Sequence, residues 1–354
     1  METENVQVAI LTRPETIYYL TGYSATWIAN RTAAFHALIV PRDGEPKIIC
    51  RALESKATKE QWTKDPILYS DQEGPWKGLS KMLSETIISG SKVGIEKRSL
   101  SLWQFEKLRE ILKDTEFRDL SSHIVALISS PSPNETEYLR KAGEITQKGF
   151  AAAVNSVKKG ASISDIVAEA EHAVYKAGQP DQNREKCLVW AGPTGGAMHS
   201  MDISGKVADG DLVTIEIWAT YKHYYAAAQG TLYVGNNPSQ ELVKMYEMVS
   251  KMYIAASDAV KPSTTSGSVF EAASKVYRAS YGEDYYRRIG GSVGLVGFGV
   301  NLAKDDKAIL KPGVGLLIQP QTNEPVLVTV SATVLVTETG HEEICRPLLE
   351  LTKV

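Results

Sequence analysis

Residues 211–235, DLVTIEIWATYKHYYAAAQGTLYVG, constrain the fold of this chain more than any other stretch. Residues 212–218 are apolar or β-branched apart from Glu216, which is typical of a buried strand. Alternation along a strand places Thr214, Glu216 and Trp218 on one face and aliphatic residues on the other. A carboxylate there must be paired, hydrogen-bonded or neutral, because burying it alone is costly. Glu216 is therefore a structural ion-pair residue, a residue of an exposed sheet face, or a functional residue.

The other candidate site residues are a loop histidine and polar residues of later strands. His199 lies in the glycine-rich stretch 190–202, WAGPTGGAMHSMD, and a loop histidine can act as acid, base or hydrogen-bond donor near neutral pH. Gln319 and Ser331 belong to two later predicted strands, where polar side chains commonly face solvent. No H-E-x-x-H or G-K-[ST] pattern accompanies them. From these residues alone, structural and functional roles both stay open.

Composition and charge exclude several classes of protein. The chain has 354 residues, of which 43% are hydrophobic and 23% charged, as in an ordinary globular protein. A net charge of −3 predicts no nucleic-acid partner and no anionic membrane partner. The three cysteines are far apart and form no CxxC pair, which argues against a disulfide framework. With no signal-peptide pattern and no apolar run of about 20 residues, we expect a soluble cytoplasmic protein.

The chain is predicted to form two domains, residues 1–128 and 129–354. Strands at 6–11 and 34–40, followed by amphipathic helices, predict a small N-terminal α/β domain. The Ser- and Pro-rich residues 129–134, SSPSPN, are the predicted linker.

The second domain is predicted to begin with two helices and to continue with strand pairs. Asn134 is the predicted N-cap of the first helix, with Glu137 as its capping partner. Further helices are expected at 164–177, 239–260 and 269–281. The helix–helix–strand–strand order recurs loosely, which is compatible with a pseudo-symmetric domain.

Several motifs together resemble the creatinase/prolidase/methionine-aminopeptidase family, whose catalytic domain has the pita-bread fold. The residues 211–235 resemble that family's strand pair, which carries two metal-binding aspartates. Similar motifs are found along nearly the whole chain: LTGY at 20–23, NETEYLRKAGEIT at 134–146, AGPTGGAMHS at 191–200, KPGVGLLIQP at 311–320 and TVSATVLVTETG at 329–340. The resemblance implies an α/β (α+β) protein, a creatinase-like N-terminal domain followed by a pita-bread domain with a curved antiparallel sheet and covering helices.

The resemblance also assigns five metal-ligand positions in this chain. Carried over residue by residue they are Glu216, Ala227, Gly291, Gln319 and Ser331, and only the first has a carboxylate. Two hard cations need several anionic or imidazole ligands. The resemblance therefore implies a protein with no metal and no other cofactor.

Two branches of the family without metals, the creatinases and the ectoine hydrolases, cleave C–N bonds in small guanidino or amidine compounds. Residues 288–295, RIGGSVGL, and the IEIWA of 215–219 resemble the ectoine-hydrolase branch more closely. The implied function is metal-independent hydrolysis of a C–N bond in a small amidine, guanidino or amide compound. Glu216 would be nucleophile or base, His199 the acid, and the substrate-binding residues would be Gln319, Gln229, Tyr225 and Ser331.

Two other functions stay open at this stage. Pita-bread domains without metals also resemble non-catalytic binding proteins, and the family includes metal-dependent Xaa-Pro peptidases. The resemblance implies a homodimer that acts on a small-molecule substrate, with no nucleic-acid and no membrane partner.

Overall fold

The chain divides into two compact units, Met1–Ile128 and Ser129–Val354, which are described separately. The coordinates come from a computed structural model, and the residues it describes are 1–2, 4–24, 35–59, 65–87, 90–178, 186–297 and 299–354.

The first unit is built on one six-stranded mixed sheet. Its elements are β1 (Val6–Leu11), α1 (Pro14–Thr21), β2 (Ala37–Pro41), β3 (Lys47–Arg51), a short 3-10 helix (Ala52–Glu54), α2 (Ser55–Lys59), β4 (Ile67–Tyr69), α3 (Trp76–Thr86), β5 (Lys92–Ile95), α4 (Leu102–Ile111), β6 (Glu116–Asp119) and α5 (Ser121–Ile128). The strand order is β4–β3–β2–β1–β5–β6. Val8 and Ile10 belong to one apolar cluster, and Ala9 and Leu11 to another, so both faces of β1 are packed.

The second unit contains a nine-stranded sheet and four helices among its described residues. Its elements are α6 (Pro133–Ser156), α7 (Ile163–Lys176), β7 (Lys186–Gly192), β8 (Leu212–Tyr221), β9 (Tyr224–Tyr233), α8 (Gln240–Asp258), α9 (Ser266–Tyr281), β10 (Gly290–Val293), β11 (Gly315–Ile318), β12 (Gln321–Thr322), β13 (Val328–Val336), β14 (His341–Glu343) and β15 (Thr352–Lys353). The main path of the sheet is β10–β11–β13–β9–β8–β7, and all neighbours along it are antiparallel.

Helix α6 begins earlier than the sequence pattern predicted. Ser132 is the N-cap: its side chain accepts from the backbone N–H of Glu135, and the Glu135 carboxylate accepts from the N–H of Ser132 at 2.8 Å. The prediction of Asn134 as N-cap, with Glu137 as partner, is wrong. A Ser-x-x-Glu capping box, Ser132 to Glu135, lies two residues before the predicted Asn-x-x-Glu pattern. Pro133 favours this start because its fixed φ suits the first helical position. In the described part of the chain, no helix combines the length and apolar character that a membrane span requires.

The central strands of the second unit have one apolar face and one polar face, and both are buried. On β8 the residues Val213, Ile215 and Ile217 belong to the main core cluster together with residues of all four helices. On the other face of β8, Thr214 and Glu216 are also buried. The face of Glu216 continues across β9 and β13 with the partly buried Tyr225 and the buried Ala227, Gln229, Thr231, Thr329, Ser331 and Thr333, all polar except Ala227.

The fold prediction is confirmed. The chain has a two-domain α/β architecture in which the second unit carries an antiparallel sheet packed against helices. Of the two readings that the sequence left open for the later strand residues, solvent exposure does not apply to Ser331, because it and its neighbours on that face, Thr329 and Thr333, are fully buried.

Gly143, inside α6, provides a test of the helix packing. A Cβ at this position would lie 2.5 Å from the backbone oxygen of Ile344. Gly→Ala normally stabilises a helix interior by about 0.5–1 kcal/mol, but overpacking typically costs about 1–3 kcal/mol. We therefore expect Gly143→Ala to lower the melting temperature by at least about 2 °C in a thermal scan. Gly340→Ala is the control, since its Cβ would meet nothing within 4 Å. A Gly143→Ala protein that melts at or above the wild-type temperature contradicts this packing.

Candidate functional site

The candidate site lies on the polar face of the sheet, where three strands bring their side chains into one row. Glu216 on β8 is directly opposite Gln229 on β9, and Gln229 is directly opposite Ser331 on β13. Directly opposed residues of an antiparallel pair share a face and have Cβ atoms about 4.5–5.5 Å apart. Gln319, just after β11, reaches the same row by a hydrogen bond from its amide to Gln229. We call these four residues the polar row.

Glu216 is held by an aromatic neighbour on its own strand. The indole N–H of Trp218 donates to the Glu216 carboxylate, and the carboxylate is buried. Trp218 in turn packs against Tyr225, with ring centroids 5.3 Å apart. The family resemblance assigned Tyr225 to the site but not Trp218. The two-residue spacing of Glu216 and Trp218 on one strand face was the available signal.

The side-chain amide of Gln229 is bonded at its oxygen and free at its nitrogen. The Gln319 amide nitrogen and the Thr329 hydroxyl (at 3.3 Å) both donate to the Gln229 Oε1. Gln229 Nε2 is buried and has no hydrogen-bond partner among the described residues. The two bonds at the oxygen orient the amide, so the nitrogen presents N–H donors that the described part of the protein does not use.

Ser331 and Gln321 add two more buried polar atoms of this kind. Neither Ser331 Oγ nor Gln321 Oε1 has a hydrogen-bond partner within the described ranges. Gln321 was not among the residues identified from sequence, and its place on β12 beside β13 brings it here. A buried polar atom without a partner destabilises a protein by about 1–3 kcal/mol, so such atoms are rare. Their concentration on one face indicates a surface that binds something polar.

Three neighbouring threonines on this face form hydrogen bonds with their buried hydroxyls. The hydroxyls of Thr214 and Thr231 are 3.0 Å apart and bond to each other. Thr333 Oγ1 donates to the carbonyl of Ala227 at 2.8 Å and accepts from its N–H at 2.9 Å. The hydroxyls of Thr214, Thr231 and Thr333 thus differ from Gln229 Nε2 and Ser331 Oγ, which are equally buried but find no partner among the described residues.

The positions assigned to metal ligands do not form a metal centre. Ala227 and Gly291 have no ligating side chain, Gln319 and Ser331 are neutral, and Glu216 alone has a carboxylate. Across the residues that the structure describes, no group of three or more His, Cys, Asp or Glu side chains could hold a metal ion. A dinuclear site needs anionic ligands that offset the charge of two cations. The residues present therefore do not fit the metal.

His199 lies on a different element from the polar row. It is an exposed loop residue with φ of 65°, and its ring packs edge-on against Trp190, with centroids 6.1 Å apart. Trp190 is opposite Thr214, one step along the sheet face from Glu216. The loop is anchored by the N–H of Leu327, which donates to the Thr194 carbonyl at 2.8 Å. The structure thus brings four of the predicted residues together in the polar row and places His199 on a loop beside it.

Comparisons with known proteins identify relatives for both units. The model described as "Metallopeptidase family M24" matches residues 137–338, and "Creatinase/Prolidase N-terminal domain" matches residues 1–127. An Xaa-Pro dipeptidase of Lactobacillus delbrueckii subsp. lactis is 25% identical over 90% of this chain and 87% of its own length. One from Pyrococcus furiosus is 24% identical over 99% of this chain and 97% of its own length.

Solved structures give the same fold. The prolidase from Thermococcus sibiricus superposes with a TM-score of 0.89 at 24% identity, covering 100% of this chain and 96% of that one. The prolidase from Pyrococcus furiosus gives a TM-score of 0.83 at 24% identity, covering 98% of each chain.

These findings overturn the predicted substrate class. The resemblance to the ectoine-hydrolase and creatinase branch predicted a metal-independent hydrolase of small amidine, guanidino or amide compounds. The relatives just described are named Xaa-Pro dipeptidases and prolidases, so that prediction is wrong. Among the alternatives these names favour the peptidase, whereas the side chains at the five metal positions do not fit its metal. The likeness to the ectoine-hydrolase branch is confined to the short motifs RIGGSVGL and IEIWA, whereas the likeness to the Xaa-Pro dipeptidases extends over 90% or more of the chain.

The unpartnered hydroxyl of Ser331 can be tested against a matched serine. Ser250 on α8 is also buried, but its Oγ donates to the Leu349 carbonyl at 2.8 Å. Ser331→Ala removes a desolvated group without breaking a bond, so the free energy of unfolding should stay the same or rise. Ser250→Ala should lower it by about 1 kcal/mol. Denaturant unfolding followed by circular dichroism measures both. Equal destabilisation by the two substitutions would show that Ser331 is bonded after all.

Proposed function

We propose, on the premise that the chain belongs to metallopeptidase family M24, that it binds Xaa-Pro dipeptides on the polar face of its pita-bread sheet. The observation that carries this proposal is the polar row with its unpartnered buried atoms, Gln229 Nε2 and Ser331 Oγ. Such atoms are tolerated when a ligand supplies their partners. The names of the relatives support this ligand class: the Lactobacillus and Pyrococcus proteins are named Xaa-Pro dipeptidases, and this chain matches them over 87% and 97% of their lengths.

The electrostatics of the row suit a dipeptide with a free N-terminus. Glu216 is the one carboxylate of the polar row, and a carboxylate in a buried site attracts an ammonium group more strongly than it would in water. The remaining members of the row, Gln229, Gln319 and Ser331, are neutral and suit the uncharged peptide group. Binding therefore needs no metal, and it is the function that this set of side chains supports best.

Hydrolysis of the bound Xaa-Pro dipeptide is the second candidate. Membership of a peptide-hydrolase family and the names of the relatives favour it. The side chains at the five metal positions do not fit a metal among the described residues, so we propose no catalytic step through one. Three further points stay predictions: the homodimer, the cytoplasmic location and the roles of individual site residues. Light scattering of the purified chain tests the homodimer.

Isothermal titration calorimetry with Ala-Pro tests the proposal. We expect saturable binding in a buffer that contains EDTA, and no release of free proline on chromatography with or without manganese. Release of proline would move the assignment to the second candidate. If Ala-Pro and other Xaa-Pro dipeptides give no binding at millimolar concentration in either buffer, the proposed function is wrong.

A charge-neutral substitution tests the role of the carboxylate. Glu216→Gln keeps the shape of the side chain but removes the charge that attracts the ligand ammonium, so the affinity for Ala-Pro should fall about tenfold or more. Glu241→Gln, on the exposed first turn of α8, is the matched control and should bind as the wild type does. Unchanged affinity in Glu216→Gln would remove the carboxylate from the binding site.

A further inference from the structure

Two hydrogen-bond donors of the polar row lie on the same face of the sheet, on neighbouring strands. Gln229 on β9 and Ser331 on β13 are directly opposite in register, so their side chains leave the sheet on the same side. Both residues are almost completely inaccessible to solvent, at 1% and 0% exposed. They do not bond to each other, and neither Gln229 Nε2 nor Ser331 Oγ finds a partner elsewhere in the described structure.

The orientation of the Gln229 amide is fixed by its neighbours. Its oxygen accepts from Gln319 and from Thr329, so rotating the amide would break both bonds. The nitrogen therefore stays directed away from those two partners, with its N–H groups available. Because Ser331 carries a hydroxyl that can rotate, it can donate to the same acceptor.

The negative charge of Glu216 determines which kind of acceptor Gln229 and Ser331 can bind. Glu216 is directly opposite Gln229 on β8, the strand that flanks β9 on the side away from β13. Its carboxylate would repel an anion placed between Gln229 and Ser331. A neutral carbonyl oxygen meets no such repulsion. In a dipeptide the neutral carbonyl is that of the peptide bond, and it lies next to the α-carbon that carries the ammonium group. With the carbonyl at the Gln229–Ser331 pair, the ammonium is directed toward the Glu216 side.

We propose that Gln229 Nε2 and Ser331 Oγ together bind the peptide carbonyl oxygen of the dipeptide, at a position where the family resemblance places a metal ligand. This assignment rests on the proposed function, and it adds the polarity and the orientation of the ligand. It predicts that affinity depends on the hydrogen-bonding strength of that one oxygen.

The test pairs a variant of the protein with a variant of the ligand. Calorimetry is run with Ala-Pro and with its thioxo analogue, in which sulfur, a weak acceptor, replaces the peptide carbonyl oxygen and the ligand stays uncharged at that bond. We expect the wild type to bind Ala-Pro more tightly than the analogue. Ser331→Ala should weaken Ala-Pro binding about fivefold, the effect of one neutral hydrogen bond, while it leaves the affinity for the analogue nearly unchanged. Ser250→Ala is the control and should leave both affinities unchanged.

A second variant keeps the test decisive if Ser331→Ala does not fold. Gln229→Glu retains an oxygen that can accept from Gln319 and Thr329, but it replaces the donor nitrogen with a second oxygen. The Gln229→Glu substitution should weaken the binding of Ala-Pro more than it weakens the binding of the thioxo analogue.

The possible outcomes separate this inference from the proposed function. If the wild type binds Ala-Pro but does not distinguish it from the analogue, or if both variants bind Ala-Pro as well as the wild type, the carbonyl assignment is overturned and dipeptide binding stands. Water would then be the partner of the two donors. If the wild type binds no Xaa-Pro dipeptide, both proposals are overturned together.

Discussion

The structure of the second unit depends on a sheet whose two faces are both buried but chemically opposite. On β8, aliphatic residues such as Ile215 and Ile217 pack into the helical core, and the residues between them are polar. Because side chains alternate with a period of two, a slip of one residue in register would bring Glu216 into the apolar core. Burial of the aliphatic face thus fixes the register, and the register in turn aligns Glu216, Gln229 and Ser331.

The polar face combines satisfied and unsatisfied groups, and the difference has a functional meaning. Thr214 and Thr231 bond to each other, and Thr333 bonds to the backbone of Ala227, so these residues stabilise the strands. Gln229 Nε2 and Ser331 Oγ lower the stability of the unliganded protein because they are desolvated without gaining a bond. A protein that retains such atoms gains from them when a ligand supplies the missing partners, which is the usual relation between stability and binding at a site.

The sequence predicted the fold better than it predicted the chemistry. Alternation in residues 212–218 placed Glu216 opposite the aliphatic face, because strand periodicity is local and needs no tertiary information. Burial of Ser331 could not be predicted, since a polar residue on an alternating strand is equally compatible with a solvated face. The free nitrogen of Gln229 depends on contacts with Gln319 and Thr329, which are distant in sequence. The substrate class was predicted wrongly, because a few motif residues do not determine a ligand.

Where the family resemblance places a charged metal centre, this M24 member has neutral hydrogen-bonding groups beside one carboxylate, Glu216. The difference is distributed over several strands: Ala227 on β9, Gly291 on β10 and Ser331 on β13 each lack a charged ligand. The most direct measurement is the metal content of the purified chain after saturation with manganese and removal of free ions. The account predicts no stoichiometric metal. A dinuclear complement of manganese retained by each chain would contradict it.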